Sequence, residues 1–598
     1  VLTSAPSLAP LEVERQITFP VEVAMSGLPG LKEIRSISRF GLSAVTVVFD
    51  DSVDTYFARQ LVLERLSEAR DQIPEGIGSP EMGPISTGLG EIYQYELKGA
   101  PGSGYDETSL RTIQDWSVRR QLLGVPGVVE VNSFGGKEKQ YQVRLDPVKL
   151  QSYGLSLRDV LEAVGRNNAN VGGAYIEHGS EQYLLRGIGL AEKPEDISNI
   201  VVKTGKEGVP VYVRDLGEVA TGYTIRQGAV TADGEGEIVA GIAMMLKGEN
   251  SRTVVESIKE RVKQVQKTLP KGVELVPFYD RTELVDRTIH TVAKNLIEGA
   301  ALVIIVLIIL LGNWRGALLV ATVIPLSMLF AAILMRVFNV SGNLMSLGSL
   351  DFGLIVDGAV IVVENAVRRR AEAQHEGRHE PPERTILDAC LEVGRPVVFA
   401  VAIITIVYLP LLSLTGIEGK MFKPMALTVV FALVGALILS LTYVPAAMTY
   451  VLRGRVSETE SFLIRYAKRW YGPALDFVMR YRRQSLAVVT TVVLASFALF
   501  PFLGAEFIPR LEEGSLAVQI QRLPSVSLTR SLDIAAASER VLRSFPEVTK
   551  VVSKTGRAEV ATDPMGVDLS DVYVEMKPPS EWTSAHTREE LVEKMSKA

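Results

Sequence analysis

Six long apolar stretches follow one another in the middle of the chain, and they constrain its fold more than any other feature. Most have close to the roughly 20 residues with which an α-helix crosses about 30 Å of hydrocarbon. A single stretch of this kind is typical of a buried helix in a soluble protein, whereas six in succession predict a polytopic α-helical membrane protein. The stretches cover residues 296–312, 317–335, 344–363, 397–415, 425–452 and 485–503.

Basic residues predict the orientation of these stretches. They concentrate after the first, third and fifth stretches, and basic loops stay on the cytoplasmic side. Residues 1–290 and 505–598 are therefore expected on the outer side of the membrane, which in a double-membrane bacterium is the periplasm. The basic residues after the odd-numbered stretches are Arg315, Arg368, Arg369, Arg370 and those within 453–483, whereas the alternate connections hold Arg336, Lys420 and Lys423.

Residues 458–483, between the fifth and sixth stretches, interleave aromatic and basic side chains such as Tyr466, Trp470, Arg465 and Lys468. This composition is typical of an amphipathic helix that lies on the cytoplasmic face of the membrane. A plain loop with a helical turn is the alternative.

The hydrophilic regions contain one local pattern three times, namely an amphipathic helix, a tight turn and a β-hairpin. Three copies in matching context predict α+β domains in two layers, with a sheet on one side and helices on the other. The copies cover residues 10–49, 108–145 and 527–576, with turns at 27–30, 124–127 and 545–548.

Three acids fall on the third apolar stretch or at its end: Asp351, Asp357 and Glu364. Each ionised carboxylate near the bilayer centre costs about 2.5 kcal/mol or more, so three need a reason. Asp357 and Glu364 are seven residues apart and share a helix face, about 10 Å apart along the axis. We expect a proton relay. The alternative is a structural acid paired with a basic residue of another stretch, but none of the other five offers a central one.

Composition excludes several classes of function. Cys390 is the single cysteine and there are five histidines, so neither a thiolate cluster nor a His-rich metal site is expected. The net charge of −6 gives no indication of nucleic-acid binding. No catalytic constellation appears either, so the protein is not expected to be an enzyme.

Several motifs resemble those of one known family, the heavy-metal efflux branch of the resistance–nodulation–division (RND) superfamily. Within that branch the sequence is similar to the cobalt–zinc–cadmium pumps, and the resemblance covers essentially the whole chain. The motifs include residues 26–42, 82–93, 248–252, 279–282, 416–424 and 562–565.

The resemblance implies a proton-driven transporter that exports divalent heavy-metal cations, without a resident cofactor. It implies a homotrimer in the inner membrane, working with a periplasmic membrane-fusion adaptor and an outer-membrane channel. Ferredoxin-like βαβ porter subdomains would occupy 1–167, 228–290 and 505–598, and a docking insert 168–227. A first span before residue 1 and a second half after residue 598 are implied as well.

The resemblance also implies roles for individual residues. Asp351, Asp357 and Glu364 match the proton-relay positions of the family. Glu91, Asp563 and Asp571 match acids on the metal path. Carboxylates suit zinc, cobalt, nickel or cadmium, whereas soft Cu(I) calls for methionine thioethers. Met565 is the methionine expected near this site.

Three alternatives remain open at this point. The first is a copper or silver pump of the same branch, and the second is a multidrug RND pump. Aromatic residues make up 7% of the chain, which disfavours an aromatic-lined drug pocket. The third is a membrane protein that does not pump, such as a protein-translocation factor with periplasmic domains.

Overall fold

The chain divides into two compact units. The computed structural model of the protein describes residues 1–205, 208–311, 313–340, 342, 352–376, 381–451, 462–502, 514–558 and 563–598. The strand-rich unit comprises Val1–Glu283 and Leu511–Ala598, and the helical unit comprises Leu284–Arg510. This division follows the hydrophilic and apolar regions of the sequence.

The strand-rich unit begins with a four-stranded antiparallel sheet in the order β2-β3-β1-β4. Its strands are β1 (Leu2–Ser4), β2 (Leu31–Arg39), β3 (Leu42–Phe49) and β4 (Pro80–Glu81). One covering helix runs from Pro10 to Met25 with a π-helical turn at Glu14–Thr18, and the other is Thr55–Gln72. Ile17, Met25 and Leu66 are almost completely buried between the layers.

A larger sheet joins residues from both ends of the unit in the order β15-β5-β14-β13-β17-β18-β16, with β6 also paired to β14. The remaining strands are β5 (Glu91–Gly99), β6 (Val128–Phe134), β7 (Lys139–Leu145), β8 (Val171–His178), β9 (Glu181–Gly187), β10 (Val201–Thr204), β11 (Pro210–Tyr212), β12 (Gly217–Tyr223), β13 (Gly228–Ala232), β14 (Gly236–Met245), β15 (Val273–Asp280), β16 (Ser515–Gln521), β17 (Val548–Gly556) and β18 (Leu569–Met576).

Helices cover one face of this sheet, because alternate strand residues on that face are apolar. Tyr95 and Leu97 of β5 pack there with Leu122 and Ile258 of the helices. The helices of this layer are Glu107–Ile113 continued by a π-helical turn at Gln114–Val118 and by Arg119–Leu123, then Ser251–Thr268, Leu528–Arg543 and Arg588–Lys597.

A separate small core interrupts the second copy of the repeat. β7 pairs with β12 and β10 with β11, around a cluster that includes Val160, Ile197 and Leu216. This core starts at β7 and therefore before residue 168, where the docking insert was expected to begin. The β8–β9 hairpin of this segment is exposed along its whole length. The helices of the segment are Pro147–Tyr153, Leu157–Asn167, Pro194–Ser198 and Val213–Leu216.

The repeat prediction is confirmed for two copies and is wrong for the hairpin of the middle copy. β2 pairs with β3, and β17 pairs with β18, as predicted. β6, however, pairs with β14 rather than with β7. The inserted core lies between β6 and its partner β14 in the chain, and β7 pairs with β12 instead.

The helical unit contains helices that are mostly longer than their apolar stretches. They are Arg281–Leu311 (shared with the strand-rich unit), Trp314–Val337, Phe352–His375, Pro382–Tyr408 followed by a 3₁₀ turn at Leu409–Ser413, Gly416–Leu441, Tyr443–Val451, Phe462–Arg480 and Arg482–Leu499, which a 3₁₀ turn at Phe500–Phe502 follows. Ala359, Val397, Leu433 and Met448 are buried in one apolar core.

Five helical segments of the described residues are long and apolar enough to cross a membrane, and they match five of the six predicted stretches. The third stretch, 344–363, begins outside the described residues. Its remainder lies in Phe352–His375, which is more highly charged and is not among the five, so a sixth crossing stays a prediction.

The fifth stretch, 425–452, extends beyond its long helix, which ends at Leu441, and a second helix, Tyr443–Val451, follows a break at Thr442. Pro445 lies in the first turn of the second helix, a position that tolerates proline because a backbone N–H there has no partner within the helix. The predicted amphipathic segment forms the helix Phe462–Arg480, and its place on a membrane surface stays a prediction.

Candidate functional site

Glu91 begins β5, and a β-bulge decides which face of the sheet its side chain joins. Two consecutive residues of β14 lie opposite Tyr93 and Glu91, so Ile92, which lies between these two in β5, is an extra residue in the pairing. An extra residue reverses the alternation of side chains, because successive strand residues face opposite sides. Glu91 therefore shares a face with Gln94, whose Nε2 donates a hydrogen bond of 2.9 Å to Glu91 Oε2.

The face that carries Glu91 is concave. Lys550 Nζ on β17 lies 2.8 Å from Glu96 Oε2 on β5, although two strands separate them. The rings of Tyr279 on β15 and Tyr573 on β18 have centroids 5.8 Å apart. In a flat sheet β15 and β18 would lie about 24 Å apart. The sheet therefore curves into a trough, which we define as the concave face between β15 and β18.

Two predicted metal ligands meet a lysine in this trough. Asp571 is the third residue of β18 and lies opposite Lys554 of β17 on one side and Gln519 of β16 on the other. Gln519 Nε2 donates a hydrogen bond of 3.1 Å to Asp571 Oδ1. Lys554 Nζ lies 3.3 Å from Glu91 Oε2. Lys554 is thus next to both Glu91 and Asp571.

The third predicted ligand, Asp563, lies close enough to the other two to interact with them electrostatically. Partial desolvation, and then repulsion from Asp571 and Glu91, raise the pKa of Asp563, while Lys554 and Arg39 act in the opposite direction. The side chain of Asp563 nevertheless remains exposed to solvent. The structure therefore brings the three predicted acids into one neighbourhood.

These acids do not form a ready-made chelate. Within the described ranges, no three His, Cys, Asp or Glu side chains are arranged to hold a metal ion. Met565 is 8% exposed, so its thioether is packed away from solvent. The site as folded is a group of carboxylates with a lysine beside them.

Lys554 and Gln519 are absent from the residues predicted above. Lys550 and Lys554 are four residues apart in a strand and must therefore share a face. That spacing is the signal that could have identified the lysines. Asp571 lies on the adjacent strand of the same hairpin, but the acids of β5 are more than 450 residues away, and the sequence gives no sign of that contact: Glu91 and Lys554 are 463 residues apart.

The predicted relay residues lie on the helix Phe352–His375, except that Asp351 falls outside the described residues. Asp357 and Glu364 lie on one helix face, as their seven-residue spacing predicts, and both side chains are exposed. Asn365, next to Glu364, is buried and donates from Nδ2 to the carbonyl oxygen of Ala389, 2.9 Å away.

Gly358, beside Asp357, lies where neighbouring helices come close to the backbone. A Cβ at this position would lie 3.1 Å from Val397 Cγ1 and 3.3 Å from Ser440 Oγ. Two other helices therefore approach the backbone one residue from Asp357. Close approach at small residues is typical of helix packing in membranes.

The chain matches the AcrB/AcrD/AcrF family over residues 1–598. It is 50% identical over 595 residues to the cobalt-zinc-cadmium resistance protein CzcA of Cupriavidus metallidurans, an alignment that covers 97% of this chain and 56% of that protein. It is 43% identical over 630 residues to the nickel-cobalt-cadmium resistance protein NccA of Alcaligenes xylosoxydans xylosoxydans, covering 99% and 58% respectively.

An X-ray crystal structure of a heavy metal efflux pump aligns with the whole chain at a TM-score of 0.88 and 37% identity, and 57% of that pump is covered. The chain thus spans little more than half the length of these relatives. The family match extends from the first residue to the last and agrees with both the α+β unit and the apolar helices. The chain belongs to the AcrB/AcrD/AcrF family.

Proposed function

We propose that the protein is a proton-driven RND efflux transporter that exports divalent heavy-metal cations of the zinc, cobalt, cadmium and nickel class. The observation that carries this proposal is that Glu91 and Asp571 of the trough lie in one neighbourhood with Asp563. Carboxylates suit such ions, whereas Cu(I) favours thioethers. The metal is cargo, so the protein acts as a metal/proton antiporter rather than as an enzyme, and no resident cofactor is proposed.

The proposed proton path runs through Asp351, Asp357 and Glu364. A carboxylate is favoured in its neutral form in apolar surroundings and in its charged form where water reaches it. Alternation between these surroundings couples a proton gradient to a change of conformation. The spacing of Asp357 and Glu364 on one helix face supports this path.

The proposed porter layer consists of ferredoxin-like subdomains. Two strand orders support this proposal. The first sheet has the order β2-β3-β1-β4 with two helices, and the next part of the chain has the equivalent order β15-β5-β14-β6. Both arrangements follow a strand-helix-strand-strand-helix-strand sequence, which is the ferredoxin-like pattern. The segment 168–227 remains the proposed docking insert, together with β7, with which it shares a core.

The proposed location is the bacterial inner membrane, with the strand-rich unit in the periplasm. Basic residues between the apolar stretches support this orientation. The proposed assembly is a homotrimer that works with a periplasmic adaptor and an outer-membrane channel. Family membership supports this assembly.

Transport by the full-length protein in liposomes tests the substrate. We expect an imposed pH gradient to drive zinc or cobalt uptake and to drive no Cu(I) uptake, because the trough presents carboxylates. Metal inside the vesicles is measured against vesicles whose pH gradient has been collapsed by an ionophore. Transport of Cu(I) without divalent transport would favour the copper or silver pump, and transport of no metal would favour the translocation factor.

A further inference from the structure

Two lysines of β17 reach across the trough to acids of β5, but their surroundings differ. Lys550 Nζ lies 2.8 Å from Glu96 Oε2, with the ammonium 5.6 Å from the ring centroid of Phe278. Those Lys550 and Glu96 side chains are 17% and 8% exposed. Lys550 and Glu96 thus form a one-to-one ion pair that is mostly buried, and pairing is the usual arrangement for a buried charge.

Lys554 is instead outnumbered by acids. Its ammonium lies 3.3 Å from Glu91, its strand neighbour is Asp571, and it also acts on Asp563. Arg39, the other cation that acts on Asp563, lies 3.6 Å from a fourth acid, Asp568, so two positive charges face four negative charges and leave a local net charge of −2. The Lys554 and Glu91 side chains are 21% and 31% exposed, so solutes can reach this pair more easily than the Lys550 pair.

We propose that Lys554 is a built-in competitor for the cargo: its ammonium holds Glu91 in the metal-free protein, and a divalent cation binds by displacing it. This inference rests on the proposed function. A lysine ammonium is a point charge on a flexible stem, so it can leave Glu91 without movement of the backbone. A divalent cation carries twice its charge and gains more from the three acids at the same distance.

Displacement explains why the acids are neighbours without forming a chelate. The ammonium offsets repulsion among the carboxylates and keeps them in place until the metal arrives. When the metal leaves, the ammonium returns to Glu91 and favours release. The lysine thereby lowers the affinity of the site for the divalent cation, which suits a transport site that must release its substrate.

The zinc affinity of the purified full-length protein and its variants tests this role. We expect Lys554→Gln to bind zinc about tenfold more tightly than the wild type, the equivalent of about 1.4 kcal/mol. The matched control is Lys550→Gln on the same strand, whose zinc affinity should be unchanged because its partner is not a ligand. Lys554→Arg keeps the charge and should stay close to the wild type. A merely structural lysine would weaken binding when removed, which is the opposite direction.

Glu91→Gln separates this inference from the proposed site. We expect Glu91→Gln to weaken zinc binding, and the gain from Lys554→Gln to shrink in the double variant because the two side chains act on each other. If Glu91→Gln weakens binding but Lys554→Gln leaves it unchanged or weaker, the competitor role is overturned and the site stands. If Glu91→Gln leaves zinc binding unchanged, both are overturned.

Discussion

The acids of the helical unit and those of the strand-rich unit are positioned by different means. Asp357 and Glu364 lie on one helix, and its period of 3.6 residues aligns them without help from the rest of the fold. Glu91 meets Lys554, 463 residues away, only because a sheet of distant strands curves into a trough. Local geometry therefore places the proposed proton carriers, whereas the complete tertiary fold places the proposed metal ligands.

The largest effect is expected from the helix-positioned acid Asp357. Asp357→Asn keeps the size and much of the hydrogen bonding of the side chain but cannot change charge. We expect export driven by a pH gradient to fall by about 100-fold or more, since a relay with a fixed charge cannot carry protons. Zinc binding should stay within about twofold of the wild type, because the proposed ligands lie in the other unit. Vesicle efflux and zinc titration of the same purified variant measure both.

Glu372→Gln is the control on the same helix. Glu372 lies near the end of that helix, is about half exposed and has Oε1 3.9 Å from Arg368 Nη1. An exposed pair of this kind contributes little, so export should be unchanged. If Asp357→Asn exports metal at the wild-type rate, Asp357 is a structural acid. The helical unit would then not hold its proton carrier at this position, and the comparison of the two units would fail.

The next effect concerns the acids that the tertiary fold assembles. We expect the triple variant Glu91→Ala, Asp563→Ala, Asp571→Ala to bind zinc about 100-fold more weakly or worse, because carboxylate ligands are lost together. The free energy of unfolding should change by about 1 kcal/mol or less, because none of the three side chains is fully buried. Zinc titration, thermal unfolding and metal tolerance of cells check this expectation.

A matched triple variant removes three exposed acids from the same unit: Glu64→Ala, Asp71→Ala and Glu75→Ala. The change in net charge is identical, so any general electrostatic effect appears in both variants. If the two triple variants bind zinc equally well, the trough acids are ordinary surface charges and the metal-site proposal fails.

The smallest effect tests how firmly the tertiary fold holds a single acid. Glu547 is fully buried, and its carboxylate accepts hydrogen bonds from the backbone N–H groups of Thr583 and Ser584 and from the Ser584 hydroxyl. Burial acts to raise the pKa of Glu547, but these hydrogen bonds prevail and lower it to about 2.

Glu547 should therefore stabilise the strand-rich unit above its ordinary pKa of 4.5, and this contribution should be lost as the pH falls from there towards about 2. At neutral pH we expect Glu547→Gln to lower the free energy of unfolding by about 1–3 kcal/mol. The exposed Glu593→Gln should change it by less than about 0.5 kcal/mol. Denaturant unfolding at several pH values checks both, and equal stability of the two variants would show that Glu547 is not held in this way.

The same contrast explains which parts of the structure could be predicted. Helices and short turns depend on neighbouring residues, so the helices before all three turns and the hairpins β2–β3 and β17–β18 follow from the sequence pattern. The prediction of the middle hairpin was wrong because an inserted core lies between β6 and its partner β14 in the chain. The break at Thr442 was missed because hydropathy does not register where one apolar helix ends and the next begins.

The candidate site was predictable only in part. The relay acids follow from charge within an apolar stretch, a signal that needs no tertiary structure. Glu91, Asp563 and Asp571 were identified by family resemblance, because no local pattern distinguishes them from solvated acids. The bulge at Ile92 and the curvature that gives Glu91 its lysine partner arise from pairing across the sheet.

The pairing of β13 with β17 has a consequence for biosynthesis. β13 is complete long before β17 is made, since contacts between these parts of the chain, such as that of Thr231 with Glu539, span 308 residues. The five described helices that are long and apolar enough to cross a membrane lie between these two strands in the chain. Until β17 arrives, β13 presents unpaired N–H and C=O groups at a strand edge, which is a template for association with other chains. A newly made strand-rich unit thus needs protection from aggregation until its last strands emerge.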